Sequence, residues 1–127
     1  METAISVNKH IFQLLNEDAQ LKELVGNKIY PLVVKQNIDF PFIIFKKEGV
    51  NPIYSKDLLS YDTVIINVAI AAINYDDTVA IAERVRAVLE NYRSTYFYNI
   101  LLDNVSEDFV DDTFIQQLQF TAKIRVK

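Results

Sequence analysis

The 127-residue chain is 50% hydrophobic and 12% aromatic, enough for one packed interior but not for two, and its two glycines and three prolines exclude a disordered composition. The formal net charge is −4 with acids and bases interspersed, which argues against a nucleic-acid binder built on phosphate neutralisation. Cysteine is absent, so disulfides, thiolate nucleophiles and cysteine-based zinc sites are excluded.

Ile5, Phe12 and Leu15, flanked by Ile11 and Leu14, recur at helical spacing and predict a helix over residues 2–15. Asn16, Glu17 and Asp18 interrupt that pattern, and Asp18 is placed to cap a short second helix over residues 19–25. Its apolar edge is Leu21, Leu24 and Val25, and Gly26 follows where a helix ends in a left-handed residue. The second element is too short, and too poor in basic residues, for a DNA-reading helix–turn–helix.

The period then changes. Ile29-Tyr30-Pro31 and Phe42-Ile43-Ile44-Phe45 read as strands, with Pro31 and Pro41 marking an edge or a strand entry. Residues 46–60 hold a glycine, a proline and mixed charge, and are expected to form a long mobile loop whose Ile53, Tyr54, Leu58 and Leu59 either face a partner or fold back on the domain. The strongest strand signal covers residues 61–73. Val64, Ile66, Val68, Ile70 and Ala72 share one face, and Ile65, Asn67, Ala69, Ala71 and Ile73 the other, as in a central strand closely covered by a helix.

An Asp in the turn Asn74-Tyr75-Asp76-Asp77 is expected to cap a helix over residues 78–92, with Ile81, Ala82, Val85, Val88, Leu89 and Tyr92 on its apolar side. Two strands near residues 100–109 and 114–126 follow, joined as a hairpin by the acidic segment 108–112. In the last strand Phe114, Leu118, Phe120, Ala122, Ile124 and Val126 should point inward, and Gln117, Gln119, Thr121, Lys123 and Arg125 outward. The order helix, helix, strand, strand, strand, helix, strand, strand predicts an α+β fold in one domain over residues 1–127. Its sheet would be mostly antiparallel, of about five strands, with helices on one face.

A search for chemistry finds little. His10 is the only imidazole, no serine sits on a glycine-flanked elbow, and the two glycines are isolated, so no phosphate or dinucleotide loop exists. No catalytic, cofactor-binding or metal-ligating residue is assigned. The acidic pairs Glu17-Asp18, Asp76-Asp77, Glu107-Asp108 and Asp111-Asp112 lie mainly at helix starts and turns, where carboxylates bond the local backbone. Asp108, Asp111 and Asp112 are the only group dense enough for a weak cation site. Tyr96-Phe97-Tyr98 has only Arg93 nearby as a cation, so packing is preferred over base stacking. The candidate protein interface is therefore Ile53, Tyr54, Leu58, Leu59, Gln117, Gln119, Lys123 and Arg125, the last four as a row available to a neighbour's sheet edge.

The stretch LNEDAQLKELVGNKIYPLVVKQNIDFPFIIFKK, residues 15–47, resembles the opening of the tail-completion (tail-terminator) proteins of long-tailed bacteriophages. The likeness is carried by Asp18, Leu21, Leu24, Val25 and Gly26, then Ile29, Tyr30 and Pro31, then Pro41, Ile43 and Phe45. The long strand, single helix and closing two-strand unit extend it over nearly the whole chain. The resemblance implies a non-enzymatic homo-oligomer, commonly a hexameric ring, that caps the tail tube and receives the head connector. Asp103 and Asn104 stand where the family often has a basic residue. The implied location is the virion, with assembly in the bacterial cytoplasm and no cofactor. A secretory signal is not expected, because METAISVNKHIFQLL lacks a basic leader and an unbroken apolar stretch. Nor is a membrane span, since the apolar run at 64–73 falls well short of the ~20 residues a spanning helix needs. Two other readings stay open on the residues alone: a small adaptor module outside any virion, and a carboxylate–metal enzyme.

Overall fold

The computed structural model describes residues 2–32, 38–54 and 60–126. A 3-10 turn at Ala4–Ser6 leads into α1 (Val7–Asn16) and α2 (Ala19–Val25). β1 (Ile29–Pro31), β2 (Phe42–Ile53) and β3 (Ser60–Ala72) follow, then α3 (Tyr75–Leu89), β4 (Phe97–Val110) and β5 (Thr113–Val126). The five strands form one sheet in the order β1-β2-β3-β5-β4. β1 runs parallel to β2, and every other neighbouring pair is antiparallel. The expected α+β class, element order and mostly antiparallel sheet are present.

The first helix is set up differently from its sequence reading. The buried stripe is Ala4, Val7, Ile11 and Leu15, spaced three or four residues apart, whereas Ile5 is 70% exposed and Phe12 lies at the surface. Thr3 stops α1 from starting earlier, because its hydroxyl accepts the Ile5 N–H at 3.2 Å and closes a 3-10 turn. Two longer bonds anchor this segment: the Ala4 N–H donates to Asp62 Oδ2 at 3.1 Å, and the Tyr96 hydroxyl donates to the Thr3 carbonyl at 2.5 Å.

Asp18 caps α2, accepting the Leu21 N–H at 3.0 Å. The same carboxylate takes both Nε and Nη2 of Arg84 at 2.9 and 2.7 Å, tying α2 to α3 by a fork. These donors, Arg84 first, hold its carboxyl below the ordinary value of 3.8, against the opposing effect of desolvation. Gly26 ends the helix at φ 63°, a conformation open to a residue without Cβ.

The loop expected over residues 46–60 is a strand through Ile53. Lys46, Lys47 and Glu48 pair across to Asn67, Ile66 and Ile65 of β3, and a bulge at Gly49 (φ 67°) shifts the register before Val50 meets Val64. Long-range pairing overrides local composition here: β3 offers a full row of backbone partners, and the charged side chains reach solvent. Lys47 bends back to the Ile5 carbonyl at 2.8 Å. The part of that loop holding Leu58 and Leu59 lies outside the described residues.

α3 is shifted towards the N-terminus relative to expectation. Asn74 occupies the cap position without a capping bond, while Asp76 and Asp77 lie in the first turn, where their charge meets the positive end of the helix dipole. Thr78, Ile81, Ala82, Val85 and Leu89 are buried against β3 and β5. They join Ile66, Val68, Ile70, Phe120, Ala122 and Ile124 in one hydrophobic cluster between helices and sheet. Each fully buried Leu, Ile or Phe there contributes about 1.5–3 kcal/mol relative to exposure.

Among the described residues no helix covers the second face of β3. The helical members of the cluster lie on the Val64–Ile66–Val68–Ile70 side, and Ile65, Asn67 and Ala69 on the reverse side are half-buried. The sheet thus has a helix-covered face and an open one. In β5, Leu118, Phe120, Ala122 and Ile124 are buried as expected; Phe114 and Val126 are half-buried because they sit at the two ends of the sheet.

Candidate functional site

Away from the core, exposed side chains gather at the two ends of the sheet and on the face that no described helix covers. Strand register fixes the layout. β5 pairs with β3 from Phe114↔Ala72 at one end to Val126↔Ser60 at the other. At the first end β4 turns into β5, and at the second β2 approaches β3. A 14-residue strand separates the ends by on the order of 40 Å.

At the first end, Asp111 and Asp112 form a two-residue turn with φ 52° and 61°, the positive φ values that match the twist of a hairpin. Beyond a second register shift between Leu102 and Asn104, residues 104–110 of β4 are all exposed. Ile73 (62% exposed) and Val110 are exposed at this end, as are Phe109 (54%) and Tyr75. Phe114 braces the last two, 4.7 Å from Phe109 and 5.6 Å from Tyr75 between ring centres. Below them Glu107 Oε2 accepts both the Tyr75 hydroxyl and Gln116 Nε2 at 2.8 Å. That carboxylate holds the Tyr75 phenol above its ordinary value. Gln116 is a polar residue on the core face of β5, and this bond satisfies it.

At the second end, a cleft of about 430 Å³ opens between the N-terminal segment and the end of β2. Its walls are mainly Ile5, Val50, Pro52, Ile53, Tyr54 and Val126. Tyr61 lines it and also carries Lys123, whose Nζ lies 4.4 Å from its ring centre and 5.0 Å from that of Tyr98. Arg125 stacks over Tyr98 at 5.2 Å and donates to the carbonyls of Ser94 at 2.5 Å and Phe97 at 3.1 Å.

The expected interface residues separate into groups. Ile53 and Tyr54, the latter 83% exposed, come together in the cleft. Lys123 and Arg125 meet around Tyr61 and Tyr98 on the sheet face away from the helices. Gln117 and Gln119 lie farther along, in a shallow hollow of the open face with Asn67, Ile44 and Ala69. Leu58 and Leu59 lie outside the described residues. One expectation is corrected: β5 is an interior strand, hydrogen-bonded to β3 and β4, so its outward row has no free backbone for a neighbour's sheet edge. That row presents a face.

Reading the sequence missed the exposure of Ile73, Tyr75, Phe109 and Val110. The available signal was the absence of any Lys, Arg or His from residue 94 to 122, over which five carboxylates and several large apolar residues occur. Asp108 takes the Phe109 N–H at 2.8 Å, a local turn bond, and no group of three His, Cys, Asp or Glu able to hold a metal occurs among the described residues. His10, the only histidine, stacks on Tyr96 at 3.7 Å between centres, with its Nε2 3.0 Å from Glu2 Oε2. No helix of the described residues is long and apolar enough to cross a membrane.

The described residues thus form an α+β fold with a five-stranded sheet whose helices pack on one face. The chain belongs to the family of tail completion protein gp17, whose model matches residues 9–122. No curated protein is significantly similar in sequence. Among solved structures, the fold is similar to that of a chain in the virion of the native gene transfer agent particle, with a TM-score of 0.78 and 18% identity over 91% of this chain and 92% of that one.

Proposed function

We propose that this tail-completion protein acts without catalysis, by assembling copies of itself into a ring at the end of a tail tube and offering that ring to the head connector. The observation that carries the reading is family membership across residues 9–122, nearly the full chain. The gene transfer agent chain of the same fold comes from a virion, and that supports a place in a virion for this chain too. The surface chemistry agrees in kind. Apolar side chains exposed at both ends of the sheet suit protein contact, and a net acidic subunit repeated around a ring repels passing phosphates over the screening distance of ~8 Å. The ring is hexameric in this reading, built in the bacterial cytoplasm, and binds no particular DNA sequence.

Light scattering across a concentration series, with and without purified tail tubes, tests it. A closed oligomer of fixed mass, alone or on tube ends, is expected. A chain that stays monomeric under both conditions would refute the reading. Melting curves with and without Mg²⁺, Mn²⁺ and Ca²⁺ test the absence of metal chemistry: no shift is expected, and a shift of several degrees would revive the enzyme alternative.

A further inference from the structure

We infer that residues 2–6 are a strap that closes and opens over the cleft at the second end of the sheet while the rest of the fold stays in place. The inference does not depend on self-assembly.

The closed form rests on a clamp that grips main chain. Backbone groups of three consecutive residues are held by side chains from three other parts of the chain. The Thr3 carbonyl accepts the Tyr96 hydroxyl at 2.5 Å, the Ala4 N–H donates to Asp62 Oδ2 of β3 at 3.1 Å, and the Ile5 carbonyl accepts Lys47 Nζ of β2 at 2.8 Å. Glu2 fastens the outer end through His10 at 3.0 Å and Lys9 at 3.7 Å.

What the clamp holds adds little to the core. Of residues 2–6 only Ala4 is buried, and Ile5 is 70% exposed. A segment with so few buried apolar contacts opens at far lower cost than a core strand. Ser6 makes no side-chain capping bond to α1, which begins at Val7, so a bend there costs the helix no such cap. Asp62 is 8% exposed under the closed strap, and opening admits water to it, so its carboxylate is not stranded without a partner. Thr3 and Ile5 stand in the wall of the cleft beside Val50, Tyr61 and Asp62. Swinging them away widens the cleft and uncovers its floor.

Hydrogen exchange on the full chain, over a urea series below the unfolding transition, tests the strap. The amides of Ala4, Ile5 and Ser6 should exchange at rates that hardly change with urea, because opening exposes little surface, whereas the amide of Ile66 in β3 should follow global unfolding. The chain has no native cysteine, so the single thiol of Val50→Cys reports on the cleft. Its labelling should be equally insensitive to urea. Adding Lys47→Met removes one clamp bond and should speed strap exchange and thiol labelling by a common factor of about two to ten. Ile5→Ser should leave both within about twofold, since the clamp holds the carbonyl and not the side chain. Amides at 4–6 that exchange with the urea dependence of Ile66 would overturn the inference, a result the native chain gives without any variant. So would thiol labelling that ignores Lys47→Met, because the segment would then not gate the cleft.

Discussion

Asp18→Ala offers the sharpest test of how the helical layer is held together. The carboxylate is one atom group with two duties: it satisfies the Leu21 N–H at the start of α2, and it receives the Arg84 fork from α3. Losing a helix cap costs about 1 kcal/mol, within a range of roughly 0.5–2. With the unfolding entropy usual for a chain between 100 and 150 residues, that lowers Tm by about 3–6 °C. The fork adds a coupling, measured by crossing Asp18→Ala with Arg84→Ala: the double variant should lose less than the sum of the singles. pH supplies an independent readout. Because the folded carboxyl titrates below its unfolded value of 3.8, its stabilising effect is complete above that pH and is lost as the pH falls through the folded value. Asn in place of Asp18 retains a cap but does not titrate. The Tm gap between native protein and Asp18→Asn, followed by circular dichroism, should therefore be level from pH 5 to 7 and shrink below 3.8. A gap that is absent at pH 7, or one that persists unchanged in acid, would refute the assignment.

Three further expectations follow from packing and turn geometry. Ile66→Ala empties a fully buried position between α3 and the sheet and should cost about 2–5 kcal/mol, read as a lower urea midpoint at unchanged slope. Replacing Asp111-Asp112 by Asn-Gly suits the two positive φ angles better and should raise stability by about 1 kcal/mol; a lower Tm would refute the turn geometry. Tyr96→Phe removes the bond to the Thr3 carbonyl and should cost about 0.5–1.5 kcal/mol, with faster amide exchange confined to the 3-10 turn and the start of α1.

The sequence was most legible where periodicity and burial coincide. Val64, Ile66, Val68 and Ile70 alternate without interruption, and they form the inner row of β3. Ile81, Val85 and Leu89 announce α3 for the same reason, and Asp18 and Gly26 mark the two ends of α2 by chemistry that acts within four residues. Legibility failed where the deciding partner is distant. The charged residues Lys46, Lys47 and Glu48 become strand because β3 lies alongside, a fact no local window contains. Ile5 looks like a core residue until Thr3 tightens the first turn and rotates it outward. Ile53, Tyr54, Lys123 and Arg125 drew notice as apolar loop residues and an outward row, but the pairing of Ile53 and Arg125 with Tyr61 across neighbouring strands depends on register. Phe109 reads as an ordinary hydrophobic of a hairpin, and its exposure becomes visible only in the folded chain.

The two register irregularities in β4, at Phe97/Asn99 and Leu102/Asn104, bear on how the subunit behaves before it finds its neighbours. A straight outer strand with Leu101, Val105 and Phe109 on it would template indefinite stacking through its vacant amides and carbonyls. Each extra residue bends that rim and breaks the spacing a foreign strand would need, and Asp103, Glu107 and Asp108 add repulsion between like margins. An outer strand interrupted in this way is a poor template for fibre growth.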